Sequence, residues 1–242
     1  MAKRKRTKKA PSEAEGRRKG VLAGLRRWTF RGAIFVVLFP VVMTLIYAVI
    51  NPPTTPYIVS EGARLGGIER EWVDMEEIAP VMARSAVAAE DADFCVHWGI
   101  DVSAIRSAID EGGKRGGSTI SQQVVKNVYL WQGRSYVRKV AEALWTPVTE
   151  ALWSKRRILE LYLNVAEFDT GVFGVQAAAQ HYFGVDAADL SARQAARLAA
   201  VLPSPKTRSA SEPTPNLRKR AEGIMDGAAT IAVDGRAACF GG

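Results

Sequence analysis

Residues 90–101 read Glu90-Asp91-Ala92-Asp93-Phe94-Cys95-Val96-His97-Trp98-Gly99-Ile100-Asp101 and follow directly on the small apolar run Ala86-Val87-Ala88-Ala89. A carboxylate against apolar surface has its charged form disfavoured and its pKa raised, the tuning that a general base or acid needs near neutral pH. If the segment is helical, Glu90 and Phe94 share a face at i, i+4. Taken alone, such a cluster is more often a solvated helix end, and a lone His97 more often a structural histidine than a catalyst.

Two further clusters lie downstream. Arg115-Gly116-Gly117-Ser118-Thr119-Ile120-Ser121-Gln122-Gln123-Val124-Val125-Lys126-Asn127 combines glycines, hydroxyls, amides and one lysine, a composition that suits an anion or a sugar. Backbone N–H groups at a helix start, with a lysine one or two turns later, could hold phosphate. It is not a P-loop, because Ser118 stands where that motif requires Lys. The alternative is a loop leading into a polar helix. The third cluster runs from Arg138-Lys139-x-x-Glu142 through Glu150 and Ser154-Lys155 to Asn164. Arg138 and Glu142 stand one turn apart, the spacing of an ordinary surface ion pair worth a few tenths of a kcal/mol (about 0.2–0.5). Pro147 is expected to kink or end this helix before Ser154 starts the next.

Working towards the N-terminus, residues 32–50 are 19 uncharged, almost wholly apolar positions. At ~1.5 Å per residue they match a bilayer core of roughly 30 Å and predict one transmembrane helix. Pro40 is tolerated in such a span, and Trp28 and Tyr47 lie near its ends. A cleaved signal peptide is the alternative, although the run is longer than a usual h-region and no A-x-A site follows it. Residues 1–31 hold 12 of the 33 Lys/Arg and 2 of the 25 Asp/Glu, so the tail carries +10 and the rest −2. The pI near 9.7 therefore describes the tail, and a basic nucleic-acid groove over the folded part is excluded. The positive-inside rule makes 1–31 a cytoplasmic tail and puts the remainder outside the cytoplasm.

The expected organisation is a basic tail 1–31, a span 32–50, a linker and lead-in segment 51–74 opened by Pro52, Pro53 and Pro56, and a domain over 75–242. Helical periodicity dominates that domain, so the fold class is all-α. One helix carries Ile158, Leu161, Tyr162 and Val165 behind a Ser154 cap. Another runs near 191–202 from Ser191 to a stop at Pro203 and Pro205, and a last one places Leu217, Ala221, Ile224, Met225 and Ala228 on one side before a frayed Gly-rich end. Two cysteines, Cys95 and Cys239, allow no disulfide framework or four-thiolate zinc site, and their pairing is open; two histidines, His97 and His181, make a multi-histidine metal centre unlikely, so no metal site is assigned.

The clusters together resemble one family, the peptidoglycan glycosyltransferases of glycosyltransferase family 51, most closely its membrane-anchored monofunctional members. The resemblance spans roughly 75–205. It rests on E-D-x-x-F-x-x-H-x-G-x-D at Glu90–Asp101, G-G-S-T-I-S-Q-Q-x-x-K-N at Gly116–Asn127 and R-K-x-x-E at Arg138–Glu142. S-K-R-R-I-L-E-L-Y-L-N at Ser154–Asn164, G-V-F-G at Gly171–Gly174 and A-A-V-L-P-S-P at Ala199–Pro205 follow in the same order.

That resemblance implies a lysozyme-like, two-lobed domain that polymerises lipid II into β-1,4 glycan on a bacterial inner membrane, its catalytic domain periplasmic. Glu90 matches the general base on the acceptor 4-hydroxyl, and undecaprenyl pyrophosphate leaves with inversion. Glu142 matches the second essential carboxylate, and Lys126, Arg138 and Lys139 match cations on the donor pyrophosphate. Ser118, Thr119, Gln122, Gln123 and Asn127 match the polar wall of the cleft, with Asp91, Phe94 and His97 completing the motif around Glu90. No cofactor is required; a divalent cation, Mg or Mn, at the pyrophosphate is left open. The implied partners are lipid II, the growing lipid-linked glycan chain and the membrane, with other cell-wall synthases left open and no nucleic acid.

Cys95 stands where the family usually has Pro, Asp169 where it has Gly, and Gln194 and Arg197 depart from the late S-x-x-E-A-A-L-L pattern. No transpeptidase signature S-x-x-K occurs. A lysozyme-like hydrolase or lytic transglycosylase would need no pyrophosphate site, and a non-catalytic scaffold no paired carboxylates. Val124, Val125, Val128, Tyr129, Leu130, Trp131, Tyr136 and Val137 form an apolar stretch that is read either as core or as a surface dipping into the membrane.

Overall fold

The computed structural model describes residues 13–110, 117–133 and 135–241; side chains 13–21, 23, 33, 36, 37 and 109 are outside the description. Residues 1–12 of the basic tail and the Gly-rich stretch 111–116 thus lie outside it. The chain divides into two compact units, 1–45 and 46–242.

The first unit is dominated by a helix, α1 (Glu13–Tyr47), which runs through Pro40. Its exposed apolar side chains include Phe35, Leu38, Phe39, Val42 and Leu45, and Phe35 stacks on Phe39. Among the described residues no helix is long and apolar enough to cross a membrane. The expected span 32–50 also overshoots the helix, because the chain turns at 48–50.

In the second unit helix formation starts earlier than the periodicity suggests. α2 (Pro56–Leu65) lies inside the expected lead-in segment, started by Pro56 at its first position and by the Thr55 hydroxyl, which accepts the Ile58 N–H. Then come β1 (Glu69–Arg70), α3 (Pro80–Glu90), α4 (Val102–Asp110), α5 (Ile120–Tyr129), α6 (Tyr136–Leu152) and α7 (Lys155–Val165). β2 (Glu167–Asp169), β3 (Val172–Phe173), α8 (Val175–Phe183), α9 (Ala192–Val201) and α10 (Pro215–Val233) complete the order, with single 3₁₀ turns at Met75–Glu77, Ala187–Asp189 and Pro205–Thr207.

The expected all-α class holds for the bulk of the chain and needs one correction. β3 lies between β1, parallel to it, and β2, antiparallel. Strands of two or three residues carry no alternation that a sequence could display. Gly171 turns the β2–β3 hairpin at φ +77°, and Asp169, at a position where glycine is usual, accepts hydrogen bonds from the Thr170 N–H and the Tyr182 hydroxyl.

α7 is the centre of the core, with Ile158, Leu159, Leu161, Tyr162, Leu163 and Val165 at 1% exposure or less. Its Ser154 cap accepts the Arg157 N–H as expected. α9 begins behind Ser191, whose hydroxyl and the Gln194 side chain form a capping box. α5 packs on α6 and α7, while α3, α9 and α10 pack on one another. Pro147 does not end α6, which continues to Leu152. Around the proline the Thr146 hydroxyl donates to the Glu142 carbonyl and the Thr149 hydroxyl to the Thr146 carbonyl.

The C-terminal end is not frayed either. Cys239 is disulfide-bonded to Cys95, Phe240 is buried against Phe94, and Arg156 donates to the Phe240 carbonyl.

Candidate active site

Glu90 is the last residue of α3, so it sits at the negative end of that helix with its side chain against Ala89 and the start of a cleft. Only 11% of the side chain is exposed. Burial raises its pKa; the Gln123 amide, which donates to Oε2 at 2.9 Å, and the cations Arg220, Lys126 and Arg208 pull the other way. Arg220, distant in sequence, reaches over from α10 to 3.7 Å from Oε1. The segment after Glu90 leaves the helix, so Phe94 does not share its face; Phe94 is fully buried below it.

Glu142 has the opposite surroundings. It lies on α6, 4% exposed, and ion-pairs with Arg138 one turn earlier and with Lys139, whose Nζ is 3.0 Å from Oε2. This is a buried clamp, not the surface pair that spacing alone suggests. Lys139 also donates to Ser118 Oγ at 3.0 Å, and Arg138 Nε to the Gly133 carbonyl. Lys126, projecting from α5, has its pKa lowered by burial and by the neighbouring Arg138, and burial and Arg138 lower Lys139 as well. Lys126, Arg138 and Lys139 thus converge, with Glu142 paired to the last two and Glu90 acting on the first.

Glu90, Ser118, Gln122, Gln123, Lys126, Arg138, Lys139 and Glu142 line one cleft of about 800 Å³, together with Leu202, Pro203, Arg208 and Arg220. Eight of the candidate residues are therefore brought together. The remaining five sit beneath or beside that cleft. Thr119 caps α5 and gives its hydroxyl to the Gly99 carbonyl; Asn127 accepts from Gln132. Asp91 accepts the Ile120 N–H at 2.9 Å through Oδ2 and meets His97 Nε2 at 2.7 Å through Oδ1. Asp91 and Thr119 also line a smaller recess of about 240 Å³ that shares Glu90 and Ser118 with the cleft.

Asp91, His97 and Asp101 bring potential ligand atoms within 4.8 Å of one another. Both Asp91 oxygens already accept hydrogen bonds, and Asp101 Oδ1 accepts from Ser103 and the Ala104 N–H at the start of α4. The group therefore joins α4 and α5 to the loop after Glu90.

A family model described as Transglycosylase matches residues 60–229, most of the chain. This protein belongs to the transglycosylase family. The biosynthetic peptidoglycan transglycosylase of Jannaschia sp. (strain CCS1) is 58% identical over 240 residues, covering 99% of both chains. That of Caulobacter vibrioides is 46% identical over 213 residues, 86% of this chain and 93% of its own, and that of Brucella suis biovar 1 is 44% identical over 191 residues, 77% and 85%. The match starts within α2 and ends within α10, so the transglycosylase region includes the part of the lead-in segment that folds and the helix that supplies Arg220.

The two charged residues of the cleft that motif reading missed are Arg208 and Arg220. Neither belongs to a recognisable cluster: Arg208 follows a stretch read as a helix stop, and Arg220 flanks the apolar stripe of an amphipathic helix. The apolar stretch 124–137 divides, with Tyr129 and Leu130 half-buried at the boundary. Val124, Val125 and Val128 are core, whereas Trp131, Tyr136 and Val137 are exposed together with Val140 and Leu144 of α6.

Proposed function

We propose that this transglycosylase polymerises lipid II into β-1,4-linked glycan. Glu90 takes the proton from the acceptor 4-hydroxyl, which attacks the anomeric carbon of the lipid-linked chain with inversion as undecaprenyl pyrophosphate departs. The observation that carries the reading is the contrast between the two carboxylates of one cleft. Glu90 is buried, raised in pKa and held by a neutral amide, while Glu142 is clamped between Arg138 and Lys139. A raised carboxylate suits proton abstraction near neutral pH; a clamped one suits orienting cations. Lys126, Arg138 and Lys139 would hold the donor pyrophosphate, whose negative charge grows as the bond breaks, so preplaced cations favour the transition state over the ground state. No divalent cation is needed for a step of this reading, and it includes no transpeptidase activity.

Residues 32–50 are proposed as the anchor, with 1–31 cytoplasmic and the cleft periplasmic. The exposed apolar side chains of α1 and the Cys95–Cys239 disulfide, a bond of oxidising compartments, support that placement. The exposed row Trp131, Val137, Val140 and Leu144 would meet the membrane surface from which lipid II is drawn.

The test is polymerisation of lipid II by Glu90→Gln, which keeps shape and removes basicity. Loss of a general base costs about 10²- to 10⁴-fold, with binding of the lipid-linked precursor retained. A folded Glu90→Gln protein that polymerises at the parent rate would refute the assignment.

A further inference from the structure

The tail beyond α10 lies far from Glu90 in sequence and makes three contacts on the segment that follows it and one on α7. Cys239 is bonded to Cys95, and the Phe240 ring packs against Phe94 with centroids 6.2 Å apart. Arg236 Nη1 lies 3.4 Å from the Ala92 carbonyl, and Arg156 Nη1 donates to the Phe240 carbonyl at 3.0 Å, tying the tail to α7. Phe94 is enclosed between Phe240 below and Lys155, whose Nζ stands 4.5 Å from its ring centroid.

The gripped segment, 91–100, has no regular helix or strand of its own, so side chains must fix it. It leads back to Glu90 by two routes. One is direct, because Asp91 follows Glu90 and its carbonyl accepts the Phe94 N–H at 3.0 Å. The other runs through the Asp91 carboxylate, which holds the Ile120 N–H at the start of α5, the helix that carries Gln123 to Glu90. Displacement of Phe94 and Cys95 would loosen both routes at once.

We propose that residues 234–240, tied by the disulfide, are a positioning element for Glu90, with Cys95, Cys239 and Phe240 as its positioning residues. The proposal rests on the reading of Glu90 as the base. It gives the cysteine at position 95 a task that a proline there could not perform, and it makes polymerisation dependent on a covalent bond in the tail.

The experiment compares the full-length parent in detergent micelles with the Cys95→Ser/Cys239→Ser double variant, measuring kcat, KM for lipid II and the pH–rate profile. We expect kcat to fall about tenfold, below the 10²-fold of a full misplacement, with KM unchanged. The acid limb should move to lower pH, because water entering around Glu90 relieves the desolvation that raises it. The charged groups facing Glu90, namely Arg220 of α10, Lys126 of α5 and Arg208, stay in place. Phe240→Ala with the disulfide intact should move both readouts the same way. If the double variant does not fold, dithiothreitol serves instead: the dithiol reduces the bond to two thiols and closes to its own cyclic disulfide, and the same readouts are taken below the unfolding temperature.

An unchanged kcat and acid limb in the folded, disulfide-free protein overturns the proposal. So does a loss of stability in which the acid limb stays where it was, since that is a structural role alone. Failure of the underlying reading is separable: it appears as parent-level polymerisation by Glu90→Gln, whatever the tail does.

Discussion

The guanidinium of Arg220 stands 3.7 Å from Glu90 Oε1 and its Nη2 lies 3.4 Å from the Ala89 carbonyl. α10 can come this close because Gly227 faces Ala88 on α3, where an added Cβ would meet the alanine methyl at 3.2 Å. Arg220 lowers the Glu90 pKa against the upward push of burial. Arg220→Met should therefore raise that pKa and move the acid limb of the polymerisation profile to higher pH, with the rate loss confined to the acid side. A limb that stays in place or moves down would remove Arg220 from the tuning of the base.

The Lys126 ammonium has no hydrogen-bond or ion-pair partner among the described residues and faces Arg138 and Lys139, an arrangement that an incoming anion would relieve. Lys126→Ala should weaken donor binding as well as turnover, lowering kcat/KM by about 10²-fold. Binding measured with a non-reacting lipid pyrophosphate separates the two effects. Full retention of binding would place Lys126 outside the donor site.

The exposed row on α6 predicts a surface phenotype. Val140→Ser/Leu144→Ser should reduce liposome association of a form lacking residues 1–51 while leaving its stability within about 0.5 kcal/mol, because both side chains are solvent-exposed. Flotation with vesicles of anionic and zwitterionic lipid reads the first effect and urea unfolding the second. Equal flotation of the parent and the double variant would refute a membrane role for this face.

Gly99 holds φ +79°, and a Cβ there would lie 2.6 Å from Thr146 Cγ2 and 2.8 Å from Glu150 Cγ. Both are buried residues of α6, and Glu150 is held by Ser121 and Lys155. Gly99→Ala should destabilise the domain by about 2–4 kcal/mol, the sum of backbone strain and overpacking. A urea midpoint within error of the parent would show that the loop shifts freely.

The helices legible in the sequence were those whose start and stripe coincide. Ser154 and Ser191 cap α7 and α9 where apolar residues begin to recur every three or four positions. The small sheet was invisible because its pairs are set by tertiary approach, with Glu69 and Arg70 joining residues 172 and 173. Of the two outcomes expected at Pro147, an end to the helix does not occur, because α6 runs on to Leu152. Within the cleft, motif spacing found the residues carried by α3, α5 and α6. It did not find Arg208 and Arg220, which arrive through the packing of α9 and α10 on α3. The resemblance also gave Thr119, Asp91, His97 and Asn127 to the substrate site; Thr119 Oγ1, both Asp91 oxygens, His97 Nε2 and Asn127 Oδ1 hydrogen-bond within the protein, while His97 Nδ1 is buried with no partner among the described residues.

The bond between Cys95 and Cys239 closes the backbone from α4 to α10 into a covalent ring. Lys126, Arg138 and Glu142 are members of that ring, while Glu90 ends the helix that leads into it, five residues before Cys95. A single proteolytic cut anywhere between the two cysteines therefore releases no fragment: both pieces migrate as one chain until a reductant is added. A cut between Glu90 and Cys95, by contrast, severs the proposed base from the cations it works beside. Peptide mapping with and without reductant would distinguish the two halves of the cleft by their connectivity alone.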